Sequence, residues 1–182
     1  MTLQSNAQEE QLPYHQIPDY PESYSGNNVA ARVLDGLGYR YYWGTKDLRS
    51  EDMDYKPSED SRTIRETLDH IYGLSSVILN GTQNKVNGSN EKNQSFDELR
   101  KNTLQNIALA SKQLKSDDEG AMNDYRIIFQ RGEKTTEFPF WNMLNGPVAD
   151  AIYHTGQVVA YRRASGNPIQ KGVRMMTGKT AE

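Results

Sequence analysis

Cysteine is absent from this 182-residue chain. That removes a disulfide scaffold, a thiolate zinc site, a cysteine nucleophile and an iron–sulfur cluster together. An excess of positive charge is missing too, with 21 Lys and Arg against 24 Asp and Glu and a formal net charge of −3. A nucleic-acid binder usually carries a basic stripe that releases counterions from phosphates, so no nucleic-acid partner is expected. No purely apolar run reaches the roughly 18 residues of a bilayer span, so no membrane partner is expected either. Hydrophobic residues make up 35% of the chain and mean hydropathy is −0.85, which implies a modest core under a strongly polar surface. Met1–Glu10 lacks the basic and apolar regions of a secretion signal. The chain is therefore read as cytoplasmic by default. Ser5-Asn6-Ala7, with small residues at alternate positions, leaves open an exported precursor trimmed at its front.

A chain of this length fits one domain with a full core. Residues 1–27 are expected to form an extended arm, because Pro13, Pro18 and Pro21 disfavour helix. Tyr14, Tyr20 and Tyr24 suggest that this arm lies on the domain. Residues 28–168 carry the helical patterns, and residues 169–182 are a polar tail given no structure. The first helix is expected from Asn28, a plausible cap, to Thr45, with Val29, Val33, Leu34, Leu37 and Tyr41 at helical spacing. A charged linker, Asp47–Asp60, leads to a second helix from Ser61 to Leu79 with a stripe of Ile64, Leu68, Ile71, Ser75 and Ile78. Asn80–Gln94 is rich in Asn and Gly and reads as a loop. A third helix begins at about Ser95, with Asp97 and Glu98 in its first turn. Tyr125–Gln130, the turn Arg131-Gly132-Glu133 and Lys134–Phe138 read as a small hairpin. The last helix occupies some part of Pro139–Ser165 and stops at Gly166-Asn167-Pro168, with Gly146-Pro147 either starting or kinking it. Four helices with a small β appendage most simply make a four-helix bundle.

Chemistry concentrates in Phe138–Tyr161, where Asp150 is the single formally charged residue and His154 follows four positions later. That spacing sets both on one helix face. Their neighbours are uncharged, so the helix is expected to be buried, and a buried carboxylate needs a cation or a hydrogen-bonded partner. His70, between Leu68 and Ile71, is expected inside the bundle or at its edge. Two imidazoles and one carboxylate on facing helices suit a catalytic metal with open positions. They suit a buried hydrogen-bonded network equally well.

The segment Arg62-Thr63-Ile64-Arg65-Glu66-Thr67-Leu68-Asp69-His70-Ile71 resembles the second helix of the DinB-like proteins. Trp141 to Pro147, then Asp150, His154-Thr155-Gly156-Gln157, Arg162-Arg163 and Gly166-Asn167-Pro168 resemble their last long helix. The likeness runs from about Val29 to Pro168. It implies an all-α, antiparallel four-helix bundle with a small β-hairpin appendage, commonly a homodimer. It also implies a divalent metal ion, commonly nickel or zinc, on three histidines. His70 matches the first ligand and His154 the last, while Asp150 stands where the middle histidine is usual. Two histidines with one carboxylate also suit iron(II). Some relatives are thiol-dependent transferases and others metal-dependent hydrolases, each acting on a small-molecule substrate. Asn145, Tyr153 and Gln157 are the pocket residues expected to orient it, and Arg162 and Arg163 either attract an anion or complement the helix dipole. The alternative is a non-catalytic dimeric bundle, an interaction or stress-associated protein, with a purely structural trio. No Ser-centred elbow motif supports a serine triad.

Overall fold

The structure, a computed structural model, describes residues 12–89, 93–118 and 120–181. The Met1–Glu10 stretch and the front of the expected arm lie outside the described residues. Among the described residues four long helices form the molecule: α1 (Gly26–Thr45), α2 (Ile64–Gly81), α3 (Phe96–Ser116) and α4 (Ala149–Ala164). The first three start at hydroxyl caps, whereas α4 follows Val148 and has no side-chain cap. Ser25 accepts from the Asn28 N–H, so α1 begins before Asn28, which is the residue being capped. Thr63 and Ser95 each accept from the N–H of a glutamate three residues on, and Glu66 and Glu98 reach back to the cap N–H. These are capping boxes, and the one at Thr63 displaces the expected start at Ser61.

α1 packs against α3 and α4, and α2 packs against the same two helices. Asn27, opening α1, donates to the Leu114 carbonyl near the end of α3, so that pair is antiparallel. His70 of α2 meets Asp150 of α4 while Gly81 lies against Met143, so α2 and α4 are antiparallel as well. Arg65 donates to Gln94 O and Asn106 to the Ser75 hydroxyl, which makes α2 and α3 parallel. The bundle is thus antiparallel across two sides and parallel across the other two. Leu34, Leu37, Leu68, Ile71, Ile78, Leu99, Leu104, Ile107 and Leu114 fill its core. Val29 and Val33 do not; Ala30 and Ala31 take the inward positions on that part of α1.

A small sheet covers one end. β2 (Arg126–Arg131) and β3 (Lys134–Pro139) form the expected hairpin, in the register Ile127↔Phe138. A two-residue strand, β1 (Val86–Asn87), joins β2 in parallel from inside the segment read as loop. It is held partly by Asn87, whose side-chain amide donates to Ile128 O at 3.0 Å.

The tail is not structureless. β4 (Val173–Arg174) and β5 (Lys179–Thr180) pair antiparallel, and the Tyr39 and Thr180 hydroxyls are bonded at 2.9 Å. The Ile17 N–H donates to Gly178 O, so the tail also fastens the arm. Within the arm Tyr14 and Ile17 are buried, whereas Tyr20 and Tyr24 are 79% and 98% exposed. Among the described residues the arm is buried at Tyr14 and Ile17, while Pro18 and Tyr20 only meet Arg32 at the surface.

Candidate metal centre

The regular part of α4 starts only after a disturbed turn. Phe140–Met143 makes one helical turn, and Gly146 then departs from helical geometry at φ −98°, ψ −106°. Pro147 has no N–H to offer, and the Ala149 N–H reaches back five residues to Leu144 O. Gly146-Pro147 therefore kinks the helix, and the widened turn sits one residue before Asp150.

Downstream, Ala151, Thr155, Val158 and Arg162 form the buried stripe of α4. Asp150 and His154 flank that stripe on the side of α2, where His70 emerges between the buried Leu68 and Ile71. His70 Nε2 lies 3.1 Å from Asp150 Oδ2, and His154 Nε2 lies 3.4 Å from Asp150 Oδ1. The two imidazoles meet edge to face with centroids 4.7 Å apart. One donor atom from each residue falls within 4.8 Å of the others.

The expected burial of this helix does not hold. The Asp150 side chain is 43% exposed and His70 32%, with His154 the most covered at 12%. Tyr153 and Trp141 are largely exposed. Absence of charge does not require burial: neutral Tyr, Asn, Gln and Gly face water readily, and the buried positions of α4 are the 151-155-158-162 stripe. Beside the trio lies an open hollow of about 490 Å³, lined by Leu74, Asn145, Gly146, Pro147, Ala149, Asp150 and Tyr153. The widened turn forms much of its wall. Asn145 and Tyr153 thus face the hollow. Gln157 sits behind His154, its side-chain oxygen 2.6 Å from Nδ1 and its amide nitrogen 3.1 Å from the Tyr153 hydroxyl. Leu74, one helical turn beyond His70 and aligned with it in sequence, supplies apolar wall to the hollow.

Arg162 serves a different purpose from anion attraction. It is buried and donates to the carbonyls of Gly44 at 3.0 Å and Lys46 at 2.8 Å, capping the end of α1. Burial lowers its pKa, and the bonds to Gly44, Lys46 and Asn167 occupy the guanidinium. Gly166, at φ +85°, and Asn167 close α4 by bonding back to Arg163 O and Arg162 O, a Schellman ending. Arg163 is exposed.

No family model matches this sequence, and no curated protein does. Solved structures do. A DinB-like protein from Bacillus subtilis aligns over 74% of this chain and 92% of its own, at 17% identity and a TM-score of 0.54. A DinB family member protein from Shewanella denitrificans aligns over 80% of this chain and 86% of its own, at 13% identity and a TM-score of 0.50.

The fold is that of the DinB-like proteins.

At these identities the likeness carries the DinB-like architecture and no activity. Whether the trio in this DinB-like bundle fits an ion rests on its own geometry. Zinc-type bonds of about 2.0–2.2 Å set tetrahedral donors roughly 3.3–3.6 Å apart. The carboxylate–imidazole separations, 3.1 Å at Asp150 Oδ2 and 3.4 Å at Oδ1, come close to that, one donor atom from each residue lies within 4.8 Å of the others, and the exposed side of Asp150 leaves room for further donors. The residues fit a divalent cation.

Proposed function

We propose that this DinB-like chain is a metalloprotein that holds one divalent ion, nickel, zinc or iron(II), on His70, Asp150 and His154. We further propose hydrolase or thiol-transferase type chemistry on a small substrate in the adjacent hollow. The observation that carries this reading is the convergence of ligand-type atoms of His70, from α2, with those of Asp150 and His154, from α4, beside a cavity that Asp150 lines. When bound, such an ion supplies a Lewis acid that polarises an acceptor oxygen or acidifies water or a thiol. The chain's own groups bind and orient: the Asn145 amide and the Tyr153 phenol offer hydrogen bonds, and Leu74 and Pro147 offer apolar surface. Asp150 is the charged group among these lining residues, and a divalent ion held on it with two neutral imidazoles leaves a net positive charge, which favours a neutral or anionic oxygen ligand over a cation. The reading includes a homodimer as the working unit, on the strength of the DinB-like likeness.

A second reading has one observation in its favour. His70 Nε2 and Asp150 are already at hydrogen-bond distance, so a network without any ion is chemically complete on that side. Metal content separates the two. Protein stripped with a chelator and reloaded is expected to retain about one nickel or zinc per chain, and His154→Ala to retain none. Full metal content in His154→Ala, or none in the parent, would overturn the proposal.

A further inference from the structure

The side chain of Gln157 touches a candidate ligand at one end and the wall of the hollow at the other. Its oxygen lies 2.6 Å from His154 Nδ1, and its nitrogen lies 3.1 Å from the Tyr153 hydroxyl. The other ring nitrogen of His154, Nε2, faces Asp150 Oδ1 at 3.4 Å. One amide therefore spans two groups whose hydrogen positions matter to the site.

A carboxamide donates from one end and accepts at the other, and a neutral imidazole has one N–H and one lone pair. The chain Asp150–His154–Gln157–Tyr153 consequently has two self-consistent orderings. In the first, His154 Nδ1–H donates to the Gln157 oxygen, the Gln157 N–H donates to the Tyr153 oxygen, and the phenol proton points outward to the hollow. His154 Nε2 then carries a lone pair directed at the trio's centre. In the second, the amide is turned by half a rotation and donates to Nδ1, Tyr153 donates its proton to the Gln157 oxygen, and Nε2–H donates to Asp150. Only the first can ligate a cation through Nε2. Only the second gives Asp150 a proton from His154.

We infer that Gln157 is a positioning residue that couples cation occupancy of the trio to the direction of the Tyr153 hydroxyl. With a cation bound, His154 is fixed as the Nδ1–H tautomer and Tyr153 becomes a hydrogen-bond donor to an acceptor oxygen in the hollow. Without one, both orderings are open and the phenol proton is free to turn back onto Gln157. The substrate class this selects is a small molecule with a carbonyl-type oxygen beside the ion. The inference rests on the metal-centre reading above.

The test uses the full chain, stripped and titrated with zinc against a competing chromophoric chelator. Gln157→Leu is expected to weaken zinc binding about 10–100-fold, the usual effect of losing the partner of a ligating histidine. Gln157→Glu, whose carboxylate accepts from Nδ1–H, is expected to restore it, which lost packing alone would not allow. Tyr153→Phe is expected to leave zinc affinity unchanged but to weaken binding of the probe acetohydroxamate to the zinc form about 5–10-fold, the worth of one hydrogen bond. Nitrogen-15 shifts of the zinc-loaded parent are expected to place the His154 proton on Nδ1, a readout independent of whether any variant folds. Parent-level zinc affinity in Gln157→Leu, or hydroxamate binding indifferent to Tyr153→Phe, would overturn the coupling alone, whereas a proton on His154 Nε2 in the zinc-loaded parent would remove that ligand and overturn the metal centre as well. A parent that binds no zinc would overturn the metal centre itself, and the coupling with it.

Discussion

A carboxylate that is 43% exposed gains little from an imidazole neighbour in the absence of an ion, because water competes for both. Asp150→Ala is therefore expected to change the stability of metal-free protein by less than about 1 kcal/mol. The same substitution is expected to abolish the rise in melting temperature that nickel or zinc produces by mass action. Asp150→His replaces the carboxylate with an imidazole at the same helical position, and is expected to keep a metal-dependent rise. Thermal unfolding with and without metal checks both variants; a large loss in metal-free Asp150→Ala would make the trio a structural network. The identities of this trio were legible in the sequence, since His70 is the histidine of α2, Asp150 and His154 are the carboxylate and the imidazole of α4, and the i, i+4 spacing puts that pair on one face. Their exposure was not, because uncharged residues around Asp150 look the same in a buried helix and in the wall of an open hollow.

At the level of the elements, the buried Asp52 ties the α1–α2 connection to the end of α4. It accepts from the Arg49 guanidinium at 2.7 and 3.1 Å, from the Arg49 N–H, from the Ser165 hydroxyl and from the Asn167 amide. The Arg49 side chain above all holds its carboxyl well below the usual aspartate range. A carboxyl depressed in the native state contributes its full stabilisation above its unfolded pKa of about 3.9 and loses it as pH falls from there towards the native value. Asp52→Asn is expected to cost about 2 kcal/mol at neutral pH, the order of a lost charge-assisted bond in a buried setting, and less at pH 3. Denaturant titrations at the two pH values check this, and an equal cost at both would remove the ionised carboxylate from the account. The cap at Ser95 and the stop at Gly166-Asn167-Pro168 were readable, because each is a local bond between residues close in sequence. β1 was not, since two residues have no periodicity and their pairing partner lies 42 positions away, as Val86 with Ile128 shows. Of the two roles open to Arg162, complementing a helix end is the one seen, but the carbonyls it caps belong to α1, a pairing that no local pattern shows.

Across the whole molecule, the segment around Tyr14 and the β4–β5 hairpin both close onto α1. Tyr14 donates to the buried Asp35 at 3.1 Å, which also accepts from Ser111 and Lys115 at 2.6 Å each. Burial first, and then Asp35, hold the Tyr14 phenol above its ordinary range. Its ring lies where a Cβ on Gly38 would stand, so this glycine is needed for close approach. Gly38→Ala is expected to cost about 1–3 kcal/mol through overpacking and to expose the segment before Gly26 to protease. Limited proteolysis followed by mass analysis checks it, and an unchanged cleavage pattern would mean the arm is not held by Tyr14. A homodimer is expected in solution, read by light scattering as twice 20.7 kDa; a species of 20.7 kDa at high concentration would count against it. The all-helical bundle was legible from the 3.6-residue stripes, whereas the parallel sides and the docked tail depend on contacts that no local pattern records.

The central claim is that His70, Asp150 and His154 bind one ion, and anomalous diffraction from zinc-loaded crystals tests it most directly. The expected result is a single strong peak among the three residues, about 2.0–2.2 Å from His70 Nε2, His154 Nε2 and an Asp150 oxygen. A map with no peak there at saturating zinc, and with His70 still bonded to Asp150 at the 3.1 Å seen here, would contradict it.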